Sequence, residues 1–443
     1  MTTMSLPRVL IFGQPFNKRH GGGITLTNLF KGWDKDKIAV AATGHVMYGI
    51  TTDVCDTYYQ LGNNEFKWRF PFNYIQRNFP SGLIHFNIKG NNQNVPAKNG
   101  LRYYLVNRFF YPALEWSGLF HCVSRITLSA SFKKWLFEYK PDILYLQVSS
   151  LDTIRFAQDL CDFLKIPSVI HMMDDWPSTI STSGPLKKYW RRKIDREFRL
   201  LLNKVRLHLS ISDAMSEEYK KRYGIIFKAF HNPVDITQFN IRPKFQKTPD
   251  QSFRILYIGR IGTANKLTIS KFAAQISKYR SDSLQVEFDI YSHEFDSPVL
   301  KLIKDLPKVN IKPAIDHERI PALLARYDLL LLPLDFTEDG LRFARFSIPT
   351  KASEYMLSGT PVLVYAPEET AVSKFFNEND CGYCLTSQDQ EDVQKAIWFL
   401  IEDTDYREKI RSNAINLAKE KFDAEKVRKE FQSLLMELSI KQI

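Results

Sequence analysis

The sequence predicts an α/β protein of two domains, each alternating buried strands with amphipathic helices. Three observations carry this. The chain has 443 residues, more than one hydrophobic core usually serves. Short apolar runs followed by helical periodicity begin at residue 8 and begin again at residue 253. Between the two series, residues 236–252 carry Pro243, Lys247 and Pro249 and read as a linker. The expected division is 1–235, a linker at 236–252, and 253–423, with an amphipathic run closing the chain at about 424–443.

Composition narrows the class. The chain is 44% hydrophobic and 25% charged, as globular proteins are, with an aromatic excess. It has no run of about 18 apolar residues, so no transmembrane helix is expected. Met1 to Arg8 lacks a signal-peptide pattern and leads straight into a strand. Five scattered cysteines fit a reducing, cytoplasmic setting. Cys381-Gly-Tyr-Cys384 has redox or metal spacing, but no second Cys or His pair completes a zinc site, so no metal is expected. The net charge of +12 is uneven: residues 1–240 hold 32 Lys and Arg against 19 Asp and Glu, and residues 241–443 hold 29 against 30. A basic first half suits an anionic partner, such as a membrane surface or a polyanionic glycan. No nucleic-acid-binding module accompanies it, which argues against nucleic acid.

Arg8 to Gly13 reads as a buried strand ending in glycine. Gly21-Gly22-Gly23 then precedes a helical run from Thr25 to Trp33, an order by which α/β folds open a ligand site. The spacing is not Gly-x-Gly-x-x-Gly, which weighs against a dinucleotide fold, and no acid follows the next strand, Ile38 to Ala42. The triple glycine lets backbone approach a ligand closely, or is a turn. Residues 60–135 interleave aromatic and basic residues, as in Lys67-Trp-Arg-Phe-Pro-Phe and Arg102-Tyr-Tyr-Leu-Val-Asn-Arg-Phe-Phe-Tyr; such stretches serve either a core or a lipid and glycan interface. Strands return at 141–147 and 166–173, the second running into Asp174-Asp175. Carboxylates at the C-terminal end of a parallel strand are placed for a cleft ligand, or cap a loop. The basic helix 187–202, with Tyr189, Ile194, Phe198, Leu201 and Leu202 on one side, packs on a core or lies on a membrane.

The second series opens with the strand Phe253 to Ile258, then Gly259 and Arg260, with Lys266 beyond. Two cations at a strand's C-terminal end suit a diphosphate leaving group. The stretch Phe346 to Pro367 reads as loop, helix and strand: Ser347 as cap, Pro349 in the first turn, Gly359 and Pro361 as stop, Val362 to Tyr365 as a doubly buried strand. Thr350, Lys351 and Glu354 then sit near a helix start, where N–H groups suit a phosphate and a carboxylate suits a sugar diol.

The stretch Pro-Thr-Lys-x-x-Glu-Tyr-x-x-x-Gly-x-Pro-Val resembles the nucleotide-sugar motif of GT-B glycosyltransferases of the retaining family 4-like group. The Asn-Pro-Val-Asp segment at 232–235 and the Gly259-Arg260…Lys266 pair resemble other parts of that family. The resemblance implies the GT-B architecture, two Rossmann-like domains facing across a cleft, with the closing run as a helix that returns to the first domain. It implies a nucleotide sugar as donor substrate, with no cofactor, and metal-independent transfer to a glycan or lipid-linked acceptor. It assigns Glu354 to the ribose and Arg260 and Lys266 to the diphosphate, and it favours the donor cleft for Gly21, Gly22 and Gly23. A family histidine near the 166–173 strand end counts onto Met173 or Asp174, so Asp174 and Asp175 are preferred to His171. The family's first motif glutamate falls on Phe346, which keeps a second reading open: a non-catalytic relative that binds a glycan or a partner. Peripheral attachment at the inner face of a membrane is the expected location.

Overall fold

The computed structural model describes residues 5–18, 21–86, 104–239, 252–280, 284–293 and 297–440. Most of the expected linker and part of the aromatic-basic stretch therefore lie outside the described residues. The chain divides into two compact units, the first formed by Met1–Phe230 with Arg428–Ile443, the second by His231–Val427.

The first unit is built on an eight-stranded sheet. Its strands are β1 (Val9–Phe12), β2 (Ile38–Thr43), β3 (Thr57–Leu61), β5 (Gly82–Leu83), β7 (Ile143–Leu146), β8 (Ser168–Met172), β9 (Leu207–Ser210) and β10 (Lys228–Ala229), in the order β10-β9-β8-β7-β1-β2-β3-β5. All neighbours are parallel except β3 and β5. β1, β7 and β8 are fully buried, which is why they read as unbroken apolar runs rather than alternating ones. A separate antiparallel ribbon pairs β4 (Phe66–Trp68) with β6 (Ser124–Ile126). The closing helix Ala424–Ile440 contributes Phe431 to this unit's core, where its ring meets Phe30, Tyr145 and Phe230 edge-on at 5.1–6.1 Å.

The second unit holds six parallel strands: β11 (Phe253–Ile258), β12 (Val286–Ser292), β13 (Val309–Pro313), β14 (Leu329–Pro333), β15 (Val362–Tyr365) and β16 (Tyr383–Leu385), ordered β13-β12-β11-β14-β15-β16. The chain winds outward from β11 in one direction and from β14 in the other, so the topological switch point lies between β11 and β14. In open α/β sheets, ligands bind outside the carboxyl ends of the strands at that point.

The basic helix 187–204 is core-packed through Trp190, Ile194, Phe198, Leu201 and Leu202, while Tyr189 is exposed. The stripe is thus turned by one residue at its start, because the larger indole takes the inward position.

Candidate functional site

The motif stretch places its helix at Lys351–Leu357, directly ahead of β15. Thr350, not Ser347, precedes the first helical residue. Residues Glu338–Ala344 fold as a separate helix, and the buried Ser347 Oγ has no hydrogen-bond partner among the described residues. Asn232 fixes the entry to the motif helix: its Nδ2 donates to the Thr350 carbonyl at 3.3 Å, and Ser353 Oγ donates to the Asn232 carbonyl at 3.4 Å.

At the switch point the residues converge on Tyr257. Lys351 Nζ donates to Tyr257 Oη at 3.0 Å and lies 4.1 Å from the centre of that ring. Tyr257 Oη in turn donates to the Arg260 carbonyl at 2.5 Å and accepts from Asn265 Nδ2 at 2.8 Å. The turn that carries Arg260 is therefore tied to the lysine of the motif helix. Gly259 is required between them. Its φ of 139° disfavours any L side chain, and an added Cβ would lie 2.6 Å from Lys351 Nζ. Burial lowers the Lys351 pKa to about 7, against the opposing charge of Glu354.

Arg260 and Lys266 are exposed, and Lys266 is the first residue of the helix Lys266–Lys278. The start of that helix is already occupied by protein: the buried Asp335 carboxylate accepts from Leu267 N at 3.2 Å and Thr268 N at 2.8 Å. Glu354 is mostly covered and shares a 2.9 Å contact with Nε2 of the half-exposed His317. Sequence reasoning missed His317, Tyr257 and Asp335. A histidine just beyond the C-terminal end of β13 was a usable signal; the other two give none, because their roles arise from contacts 68 to 94 residues away.

In the first unit, Gly21, Gly22 and Gly23 form the opening turn of the helix Gly21–Phe30 rather than a loop. Gly23 spaces that turn against Asn17, whose Nδ2 would lie 1.9 Å from an added Cβ. A Cβ added at Gly22 would lie 3.8 Å from Gln14 and Met173, so the glycine turn stands beside the β8 strand end. The two carboxylates there differ. Asp175 is buried and fully engaged, with Arg222 donating to both oxygens at 2.9 and 2.7 Å and Tyr219 Oη donating at 3.0 Å. Asp174 is half-buried and makes no hydrogen bond within the described residues; burial, then the Asp175 charge, raises its pKa. His171 is buried within β8, its Nδ1 bonded to Tyr145 Oη, and burial drives its pKa down to about 3.

Two predominantly parallel α/β sheets, alike in fold to solved glycosyltransferases, give the GT-B fold class. Residues 252–403 match the glycosyl transferases group 1 family, so the second unit carries a glycosyltransferase domain of that group. No curated protein matches the chain. Among solved structures, the chain is similar to Anabaena HepE in complex with UDP-glucose, at 14% identity and a TM-score of 0.59 over 97% of this chain and 99% of that one. It is similar to sucrose-phosphate synthase from Thermosynechococcus elongatus, at 12% and 0.61 over 98% and 99%. It is also similar to WaaG, a glycosyltransferase involved in lipopolysaccharide biosynthesis, at 12% and 0.55 over 96% and 99%.

Proposed function

We propose that this protein transfers a sugar from a nucleotide-sugar donor, with retention and without a metal, to a glycan or lipid-linked acceptor presented at an anionic membrane surface. The observation that carries the donor reading is the Lys351–Tyr257–Arg260 arrangement at the β11–β14 switch point, inside the region that matches group 1 glycosyltransferases. A departing diphosphate needs its charge neutralised as the sugar becomes oxocarbenium-like, and preorganised cations supply this. Arg260, Lys266 and Lys351 are the cations for it, with Thr350 beside them at the motif helix start. Glu354 holds the ribose diol, with His317 orienting its carboxylate. Asp174 is the catalytic carboxylate that the first unit offers; Asp175 keeps its strand end in place through Arg222. The HepE complex with UDP-glucose favours uridine as the base.

The surface reading rests on where apolar side chains are left uncovered. Of twenty large apolar side chains exposed among the described residues, eleven fall in 70–75, 104–120 and 186–189. Contacts join these segments: Phe72 meets Phe110 at 5.9 Å, His121 Nε2 meets Ser181 Oγ at 2.7 Å, and the His121 ring lies 5.0 Å from Trp190. Arg108, Lys187, Lys188, Arg191 and Arg192 are exposed around them. Aromatics with flanking cations suit an anionic bilayer interface. None of the described helices is long and apolar enough to cross a membrane.

Turnover of UDP-glucose and other nucleotide sugars, with and without membrane extract as acceptor source, tests the transfer reading. Donor binding with no turnover under any acceptor condition would favour the non-catalytic alternative that Phe346 keeps open.

A further inference from the structure

The first unit contains a cavity of about 250 Å³ between the β4–β6 ribbon and the outer side of the helix Leu151–Leu164. It belongs to none of the residues assigned above. Arg69 and Arg125 line its ribbon side, and Asp152, Arg155 and Gln158 line its helix side.

Three features set this cavity apart from an ordinary solvated groove. The ribbon register puts Lys67 directly opposite Arg125, and Arg69, two residues along from Lys67, shares its face. Like charges facing each other across an antiparallel pair destabilise it. Among the described residues no hydrogen bond or close ion pair reaches the side chains of Arg69, Arg125 or Lys67; the carboxylates of Asp152 and Asp159 attract Arg69 and Arg125 only through space. The neighbouring ionic groups, by contrast, are spoken for. Arg155 pairs with Glu197 at 3.0 Å, and the Asp152 carboxylate accepts from Ser124 Oγ. Burial pushes Asp152 up to about 6, against the opposing pull of Ser124, Arg155 and Arg69.

We infer that this cavity binds a phosphoryl group carried on a small polyhydroxylated ligand, with Arg69 and Arg125 holding the phosphoryl oxygens and Gln158 and Asp159 meeting hydroxyls. Planar guanidinium forks match phosphate geometry, and Arg69 and Arg125 bring two of them to one cavity. The volume lies just below that of drug-sized ligand pockets, which limits the occupant to about one sugar phosphate. The inference is independent of the donor reading, since no residue is shared.

Inorganic phosphate is the first probe, titrated calorimetrically into the full-length protein at constant ionic strength set with sodium chloride. The expected result is saturable binding that weakens at least tenfold in Arg125→Ala and in Arg69→Ala, is partly kept in Arg125→Lys, and is unchanged in Lys18→Ala. Thermal melts of each variant separate lost binding from lost folding: an Arg125→Ala protein that melts normally and binds phosphate as tightly as the parent overturns the assignment. Absence of saturable binding in the parent protein overturns it as well. Glucose 6-phosphate and short-chain phosphatidic acid, each as competitor, distinguish a soluble ester from a lipid headgroup, and failure of both to displace phosphate excludes the hydroxylated-ligand half of the proposal. UDP-glucose binding, measured in parallel, should be the same in all variants; its loss in the parent protein would count against the donor site alone.

Discussion

Replacing Lys351 by methionine should stabilise the fold and weaken donor binding at the same time. Burial moves this amine from 10.5 to about 7. At about 1.4 kcal/mol per unit, holding it charged costs roughly 5 kcal/mol in the absence of ligand. The contact with the Tyr257 ring returns about 1–2 kcal/mol and the hydrogen bond to its hydroxyl about 1 kcal/mol. Lys351→Met keeps the stem and removes the charge, so its unfolding free energy at pH 7 should exceed that of the parent by about 2 kcal/mol. The sign with pH follows from the lowered value. Between about 7 and 10.5 the unfolded chain binds the proton more tightly than the folded one. Parent stability should therefore rise with pH across that window, by up to about 1.4 kcal/mol per unit, and the variant should lack this component. Urea unfolding followed by circular dichroism from pH 7 to 9.5 measures the difference directly. A diphosphate beside Lys351 restores its charge, so UDP-glucose binding near pH 8 should take up a proton. Calorimetry in buffers of different ionisation heat reads that uptake, which should vanish in Lys351→Met. A variant that is less stable at every pH and binds UDP-glucose as tightly as the parent would refute the reasoning and leave Lys351 a packing residue.

The two neighbouring carboxylates should separate cleanly. Asp175→Asn breaks a buried bidentate pair and should cost about 3 kcal/mol in a melting or urea experiment, whereas Asp174→Asn should leave stability at pH 7 unchanged or raised while lowering turnover. Glu354→Gln should weaken uridine nucleotide binding about tenfold with a normal melt, since one charge-assisted contact is lost; unchanged affinity removes Glu354 from the ribose. Arg260→Ala should lower kcat with UDP-glucose more than it lowers affinity for UMP, and equal losses would argue against a role on the leaving group. Sedimentation with anionic vesicles should fall with salt and in Arg191→Glu/Arg192→Glu, and full recovery in the supernatant at low salt sinks the membrane reading.

The strands were legible because parallel sheets buried on both faces leave apolar runs. Residues 141–147, 166–173 and 253–260 were read from that alone and contain β7, β8 and β11. The motif helix and β15 were legible for a second reason: the proline and glycine stops around them are local. The failures share one cause. Arg222 reaches Asp175 across 47 residues, Lys351 reaches Tyr257 across 94, and Arg125 pairs with Lys67 across 58 (125 − 67). Such pairings leave no period in the sequence. Ser347 failed differently, as a serine ahead of a proline looks like a cap wherever the chain next turns helical, and here a second helix ends first.

Phe431 has a bearing on how the protein comes into being on the ribosome. The first unit's central rings, Phe30, Tyr145 and Phe230, wait for a residue 201 positions beyond the last of them. Until Phe431 has been made, that aromatic surface has no lid, and the emerging first unit is a natural client for chaperones that shield apolar patches. The second unit's strands, β11 to β16, follow one another along the chain, and the cores they pack into are completed by residues up to Phe422, before Phe431 is made. The unit begun first is thus finished after the second, and a stop codon near residue 425 would damage the first unit more than the second.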